Sequence, residues 1–324
     1  MRMRVWLVLG AAVLVAALAG LALGPVRLSA GAVWAALWGL GDANSVAIVR
    51  TLRLPRIALG LAVGAGLGMS GAALQATLRN SLAEPYLLGV SGGAAVGAVI
   101  AVTMHLTAPW VQPLAAFTGS MASVTLVLLV ARAAGARGDP RILLMAGVVV
   151  GSFANAAIMV LLARAPDETV RGAIWWMMGS LGEATWVGSR WIAVYVAIGG
   201  ALLLWMAREI ELLSLGEDPA AALGVEVGRA TRRAYIVASL LAAVTVAGAG
   251  LVGFVGLMVP AIARALGART IRATIVGAAA AGGALVVASD VVARTLLSPA
   301  ELPLGAVTAL IGVPFFLLRL RRMS

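Results

Sequence analysis

Long apolar segments separated by short polar ones follow one another along the whole chain. In one of them, Ile57 to Leu74, 18 consecutive residues carry no charge. At about 1.5 Å per residue, a helix of this length covers most of a bilayer core of roughly 30 Å. The pattern therefore predicts an all-α integral membrane protein with about ten transmembrane helices.

The predicted helices form one transmembrane domain, residues 1–324. They cover residues 5–23, 57–74, 87–104, 114–130, 142–163, 191–207, 234–249, 254–266, 273–288 and 304–318. A short amphipathic helix is expected near residues 32–40. The first segment has the basic start of a signal peptide, but no clear small-x-small cleavage site precedes Gly24 and Pro25, which favours a retained helix.

The arginines give the predicted orientation of the helices. With both termini in the cytoplasm, sixteen of the 24 basic residues fall on the cytoplasmic side and eight outside, and every one of them is arginine. This bias has the sign of the positive-inside rule. It accounts for the net charge of +11 without a nucleic-acid partner.

The composition limits the chemistry that the chain can carry. Hydrophobic residues make up 62% of the chain and the mean hydropathy is +1.04, both far above the values of soluble domains. With no cysteine and one histidine, neither a disulfide framework nor a His-rich metal site is expected. A Walker A loop needs a lysine, so we expect no ATP site of that type on this chain.

Gly60, Gly64 and Gly68 lie four residues apart and therefore on one face of the second predicted helix. Small residues at this spacing let two backbones approach closely in lipid. The spacing predicts that this face packs tightly against another helix.

Several motifs resemble one known family. They are RLPR at 53–56, SGAALQ at 70–75, RNSLAEPYLLGVSGGAAVG at 79–97, LSLGEDPAAALGV at 213–225, GFVGLMVP at 253–260 and DVVARTLLSPAELPLGAVTALIGVPFF at 290–316. In this order they resemble the FecCD-type permease subunits of type II ABC importers, which carry ferric siderophores, haem and cobalamin. Their order over about 260 residues is a far more specific signal than one short motif.

The resemblance implies an assembly and an activity. It implies a homodimeric permease fold in a prokaryotic inner membrane, with helices two to five (54–163) and seven to ten (234–318) related as inverted repeats. Two ATP-binding-cassette subunits would hold ATP and Mg, so no cofactor is expected on this chain. A periplasmic or lipid-anchored binding protein would deliver an iron chelate, with a ferric siderophore first and haem or cobalamin next.

Three arginines are implied as docking residues for the binding protein: Arg53, Arg56 and Arg294. The planar guanidinium group suits bidentate contact with a partner's carboxylates. The alternative is that these side chains reach the membrane interface from helix ends.

The cytoplasmic segment 208–233 is implied as the coupling region that rests on the ATPase. Asp218 and Pro219 could open a short helix there and Gly224 could end it. The candidate coupling residues are Leu213, Leu215, Gly216, Glu217, Ala222, Leu223 and Gly224. The alternative is an ordinary capped helix in a loop.

The family's inner gate matches Asn80 and Leu82 in one loop, and Asp139 and Pro140 before the fifth helix. Ser81 replaces the usual proline, and the second pair departs from the family's small hydroxyl residues. Ordinary loop and helix-cap roles stay open for Asp139 and Pro140.

A group of large side chains follows the fifth helix: Trp175, Trp176 and Met178. Aromatic residues at this position favour an interfacial belt. The alternative is that they line the mouth of the pathway.

An ion-coupled secondary transporter is the alternative function. Such carriers need ionisable groups or broken helices near the bilayer midplane. The thirteen acidic residues all fall outside the middle of the predicted helices, with Asp290 nearest, at an outer helix end. A membrane-embedded enzyme is disfavoured because the chain lacks a nucleophile and base set.

Overall fold

The computed structural model describes residues 3–106, 108–135 and 139–320, and the regular secondary structure within them is all helical. The helices, in chain order, are α1 (Met3–Ala22), α2 (Ala30–Leu37), α3 (Ala43–Ala47), α4 (Leu54–Thr77), α5 (Val90–Thr103), α6 (Val111–Ala133), α7 (Pro140–Leu162), α8 (Asp167–Met177), α9 (Trp186–Trp205), α10 (Ala207–Ser214), α11 (Glu217–Ala222), α12 (Val227–Ala249), α13 (Val255–Ala265), α14 (Ile271–Thr295) and α15 (Leu304–Leu320). A π-helical turn, Ile48–Arg53, leads into α4, and a 3-10 turn, Pro85–Leu88, precedes α5.

Seven helices in the described residues are long and apolar enough to cross a membrane: α1, α4, α6, α7, α9, α12 and α14. The shorter apolar helices α5, α13 and α15 complete the ten predicted helices in the predicted order. At about 1.5 Å per residue, the 14 residues of α5 and the 11 of α13 reach only part of the way across a bilayer. Each is extended by chain that is not α-helical, which at α5 includes the 3-10 turn Pro85–Leu88.

Helix α4 is the centre of the bundle. Residues from Ile57 to Thr77 are buried almost without interruption, and α4 contacts α9, α12, α13 and α14. We call the end of the bundle at Arg56 the outer face and the end at Arg79 the inner face. A central helix that runs from one face to the other fixes the relative positions of the groups at both faces.

The small-residue face of α4 packs against backbone, as predicted. A Cβ on Gly64 would lie 2.1 Å from the carbonyl oxygen of Gly282 in α14, and one on Gly68 would lie 2.3 Å from that of Ala278. Gly71 meets α13 in the same way, at the carbonyl oxygen of Gly256. Only glycine allows the three helices to come this close.

The contacts between helices have an internal symmetry. Each helix from α4 to α7 has a counterpart among α12 to α15, in the same order. Helix α4 contacts α13 and α14, and its counterpart α12 contacts α5 and α6. Helices α5, α6 and α7 contact one another, as do their counterparts α13, α14 and α15. Gly89 before α5 and Phe254 before α13 both have positive φ, at 84° and 66°. The two groups of four helices therefore share one pattern of contacts, and the inverted repeat stays a prediction.

Among the helix boundaries that differ from the prediction, two lie in the predicted coupling segment. Helix α12 begins at Val227, so the segment 208–233 consists of α10, α11 and the first turns of α12. Helix α11 begins at Glu217 with Gly216 as its N-cap, so Asp218 lies inside the helix and is not the cap. Gly224, with a φ of 84°, follows the helix end as predicted.

Candidate functional site

An ionic cluster lies at the outer face, where α4, α14 and the loop before α15 meet. Arg56 donates to Asp290 through Nε (2.9 Å) and Nη2 (2.8 Å), and to Glu301 through Nη1 and Nη2 (both 2.8 Å). The Arg56 and Asp290 side chains are nearly buried, whereas that of Glu301 is 36% exposed. The hydrogen bonds from Arg56 hold the pKa of the Glu301 carboxyl below its usual value.

Arg53 and Arg294 lie in the interior and bind the end of α1. Arg53 donates to the carbonyl oxygens of Leu21, Ala22 and Val26, and Arg294 donates to that of Gly20 at 2.6 Å. Their exposed fractions are only 4% and 3%. The last carbonyls of a helix lack partners within it, so two cations stabilise this end.

The docking prediction for Arg53 and Arg294 stays a prediction, and both guanidinium groups already have partners within the chain. Arg294 Nε also lies 3.3 Å from Asp290 Oδ2. Of the predicted set, only Arg56 lies beside a carboxylate that is open to the outside.

A cavity of about 450 Å³ lies beside this cluster, between α8 and the start of α15. Its walls are mostly apolar, and both Trp175 and Met178 line it, whereas Trp176 is half-buried against the core. The main chain of residues 178 and 179 accepts hydrogen bonds from the N–H groups of Gly305 and Leu304. The cavity and the Glu301 loop are therefore parts of one outer surface.

The two halves of the predicted inner gate differ in structure. Asn80 accepts a hydrogen bond from the N–H of Leu82 through Oδ1 at 2.9 Å, which makes a tight turn. Asp139 accepts from the N–H of Arg141 at 2.8 Å and is the N-cap of α7, with Pro140 as the first helical residue. No hydrogen bond or ion pair between described residues joins the two halves.

The predicted coupling segment exposes apolar side chains at the inner face. Leu213 is buried in a small cluster with Ala220 and Ala230, whereas Leu215 and Leu223 are exposed at the two ends of α11, as is Ala222. Gly216 has a φ of 123°, so the chain turns sharply before α11. Glu217 binds Arg79 at 2.7 Å.

The breaks before α5 and α13 meet inside the bundle. Glu84 accepts the backbone N–H of Phe254 at 2.7 Å, and the Tyr86 hydroxyl accepts that of Val252 at 3.0 Å. Gln75 donates to the carbonyl oxygens of Gly256 and Leu257. Irregular backbone is tolerated inside a membrane protein only when its polar groups find such partners.

The chain matches the FecCD transport family over residues 12–322. It belongs to this family. Among its relatives, the cobalamin import system permease protein BtuC of Halobacterium salinarum is 43% identical over 275 residues, 85% of this chain and 73% of the relative. The hemin transport system permease protein HmuU of Yersinia pestis is 37% identical over 82% of this chain and 80% of the relative.

A solved structure has the same fold. It is described as an inward-facing conformation of a metal-chelate type ABC transporter, and it is 27% identical to this chain. The two superpose with a TM-score of 0.89 over 99% of this chain and all of the other. The FecCD fold expected from the motifs is confirmed.

Sequence analysis missed several residues that organise this FecCD chain. Asp290 precedes Arg294 by four residues, a spacing that signals an ion pair on a helix, but nothing in the sequence connects either residue to Glu301. Glu84 lies in the polar motif that follows the second predicted helix, and the structure places its carboxylate against the backbone before α13. The polar partners of the helix breaks are separated by about 170 residues in sequence.

Proposed function

We propose that this chain is the membrane-spanning permease subunit of an ABC importer for a metal chelate, with ATP hydrolysis on separate subunits. The main support is family membership over nearly the whole length, together with a fold that matches a metal-chelate type ABC transporter. In this role the chain does no covalent chemistry. It provides a pathway that opens alternately to the two faces, with both termini in the cytoplasm.

Two copies of the chain would enclose the pathway. Helices α7 and α15 carry large apolar side chains that the bundle leaves exposed, among them Phe153, Met159, Val160 and Leu310. These side chains suit contact with a second copy and with lipid. The apolar cavity beside Trp175 would then lie at the outer mouth, where an apolar chelate could enter.

Docking of a substrate-binding protein is assigned to Arg56 and its surroundings. The carboxylate of Glu301 forms an ion pair with Arg56 and is partly exposed. An acidic side chain of the partner could therefore replace Glu301 in this pair. The two ATPase subunits, which carry ATP and Mg, would bind α11 through Leu215 and Leu223. The gate would be formed by the turn at Asn80 and Leu82, with Asp139 and Pro140 placing the start of α7.

The substrate is a metal chelate, with a ferric siderophore as the first candidate and haem or a cobalamin as the second. The relative that is 43% identical is named as a cobalamin permease, which specifically favours cobalamin among the alternatives.

The test is the ATPase activity of the complex in lipid, with candidate binding proteins added one at a time. Each is loaded with ferric siderophore, haem or cobalamin, and its empty form is the control. Stimulation of hydrolysis and uptake by one loaded protein would support the proposal and identify the substrate. Uptake in an imposed ion gradient without ATP would instead support a secondary transporter.

The structure gives a reason to prefer ATP coupling over ion coupling. Two carboxylates inside the bundle are held by fixed donors: Glu84 is bound by a backbone N–H and Asp290 by Arg56 and Arg294. A third, Glu209, lies in α10 in the predicted coupling segment, and its Oε2 is buried without a hydrogen-bond partner among the described residues. A proton- or sodium-coupled carrier needs an ionisable group that exchanges its ion during transport. Glu84 and Asp290 already have fixed donors.

A further inference from the structure

One ion pair connects the coupling segment to the loop that contains Asn80 and Leu82. Arg79 Nη2 lies 2.7 Å from Glu217 Oε1, and the two side chains are 40% and 49% exposed. Arg79 directly follows the end of α4, and Glu217 is the first residue of α11. The pair therefore joins two segments that are 138 residues apart in sequence.

Helix α11 has few other ways to act on this loop. It packs against α10 and α12, through the cluster that contains Leu213, Ala220 and Ala230. Among the described residues, the Arg79–Glu217 pair is the only hydrogen bond or ion pair between α11 and residues 78–84. The Arg79–Glu217 pair is therefore the most direct connection by which a displacement of α11 can move residues 78–84.

The backbone around Arg79 is well placed to receive such a displacement. Arg79 has a φ of 50°, a left-handed conformation that is unfavourable for a residue with a Cβ. Its N–H donates to the carbonyl oxygen of Ala76, that of Asn80 donates to Gln75, and that of Ala83 donates to Asn80. These bonds make residues 79–83 a compact turn, so a force on the Arg79 side chain moves the turn as a unit.

We propose that the Arg79–Glu217 ion pair transmits movement of the ATPase-bound coupling segment to the inner gate. This inference rests on the proposed function. Arg79 acts here as a positioning residue: it touches neither substrate nor nucleotide, and it sets where the Asn80 turn lies relative to α11. A single exposed pair contributes little to folding stability, so changing it should affect coupling more than folding.

The test compares charge reversals in the full complex, reconstituted in lipid with its ATPase and binding protein. The variants are R79E, E217R and the double variant R79E/E217R. The measured quantity is the substrate transported per ATP hydrolysed, together with the ATPase rate. Each single reversal should lower the ratio by at least about fivefold, the lower end of typical coupling effects, and the double variant should restore most of it.

A charge-reversal control exists on the same face, outside the coupling segment. Arg272 is exposed in the first turn of α14 and belongs neither to the gate nor to segment 208–233. The variant R272E makes the same change of charge as R79E without breaking the link between α11 and the Asn80 turn. Its transport per ATP should stay at the wild-type value.

Three outcomes would overturn the inference. In the first, the single reversals keep the wild-type transport per ATP. In the second, the double variant transports as little per ATP as the single variants. In the third, the control loses as much transport per ATP as the single reversals. If R79E does not assemble, R79Q removes the charge alone and is held to the same criterion. Failure of the wild-type complex to couple ATP to uptake would refute the proposed function instead, so the two failures are distinguishable.

Discussion

The close contact between α4 and α14 gives a quantitative test of how the core of the bundle is held together. A methyl group at Gly64 would lie 2.1 Å from the carbonyl oxygen of Gly282, whereas ordinary contacts begin at 3.4 Å. In the variant G64A, α4 and α14 must therefore separate locally by about 1.3 Å. The contacting atom is backbone, so no side chain can rotate away.

The cost follows from the packing that this separation removes. Overpacking of a well-packed core typically costs about 1–3 kcal/mol, and a gap of about 1 Å loses up to half of the dispersion energy of each affected contact. We expect G64A at the upper end of that range because α4 contacts α14 along much of its length. The melting temperature should fall by several degrees.

The assay is thermal unfolding of the purified chain in detergent, followed by loss of the monodisperse species. The matched control is G10A in α1, where a methyl group would meet no atom within 4 Å. Because alanine is a better helix former than glycine by about 1 kcal/mol, G10A should unfold at or above the wild-type temperature. If G64A were as stable as G10A, close contact of α4 with α14 would not stabilise this bundle.

Three further predictions concern polar groups in the interior and in the outer ionic cluster. Y86F should destabilise the chain by about 1–3 kcal/mol in the same thermal assay, because the N–H of Val252 loses its acceptor. The control Y195F, on the exposed face of α9, should not destabilise it. D290N should destabilise far more than E301Q, by about 3–5 kcal/mol, since it leaves the buried Arg294 without its counter-charge, whereas Arg56 keeps Glu301. The pKa of the Glu301 carboxyl is lowered in the folded chain. The stabilisation that its charge provides is therefore full above about pH 4.3, the pKa of an unperturbed Glu, and is lost as the pH falls through the lowered pKa. The melting temperature of E301Q should not show this loss at acidic pH.

The helices could be predicted from the sequence because each is encoded locally. An uncharged run such as Ile57 to Leu74 is long enough to require a membrane helix, and the spacing of its glycines correctly indicates the face that packs against backbone. The order of all ten helices follows from the same local pattern. Gly224 likewise marks a helix end by itself.

The site was harder to predict, because its contacts join distant parts of the chain. Arginine at a helix end is equally compatible with docking, with lipid and with an internal partner, and only the fold shows that Arg53 and Arg294 bind the end of α1. The break before α13 was hidden for a different reason. Phe254 adopts a positive φ that is typical of glycine, the residue that stands at the corresponding position before α5, Gly89.

The distribution of tight and loose contacts indicates which parts of the bundle can move during transport. Helices α4, α13 and α14 touch backbone to backbone, and side chains before α5 satisfy the broken backbone before α13. Separating these helices would expose polar groups in the membrane, which is costly. Helix α15 packs only on α13 and α14 among the described helices with extensive contacts, and hydrogen bonds at its first residues connect it to the end of α8. A movement that tilts α15 together with α8 around a fixed centre therefore breaks the fewest contacts. During alternating access it would move the apolar cavity and the Glu301 loop together with these two helices.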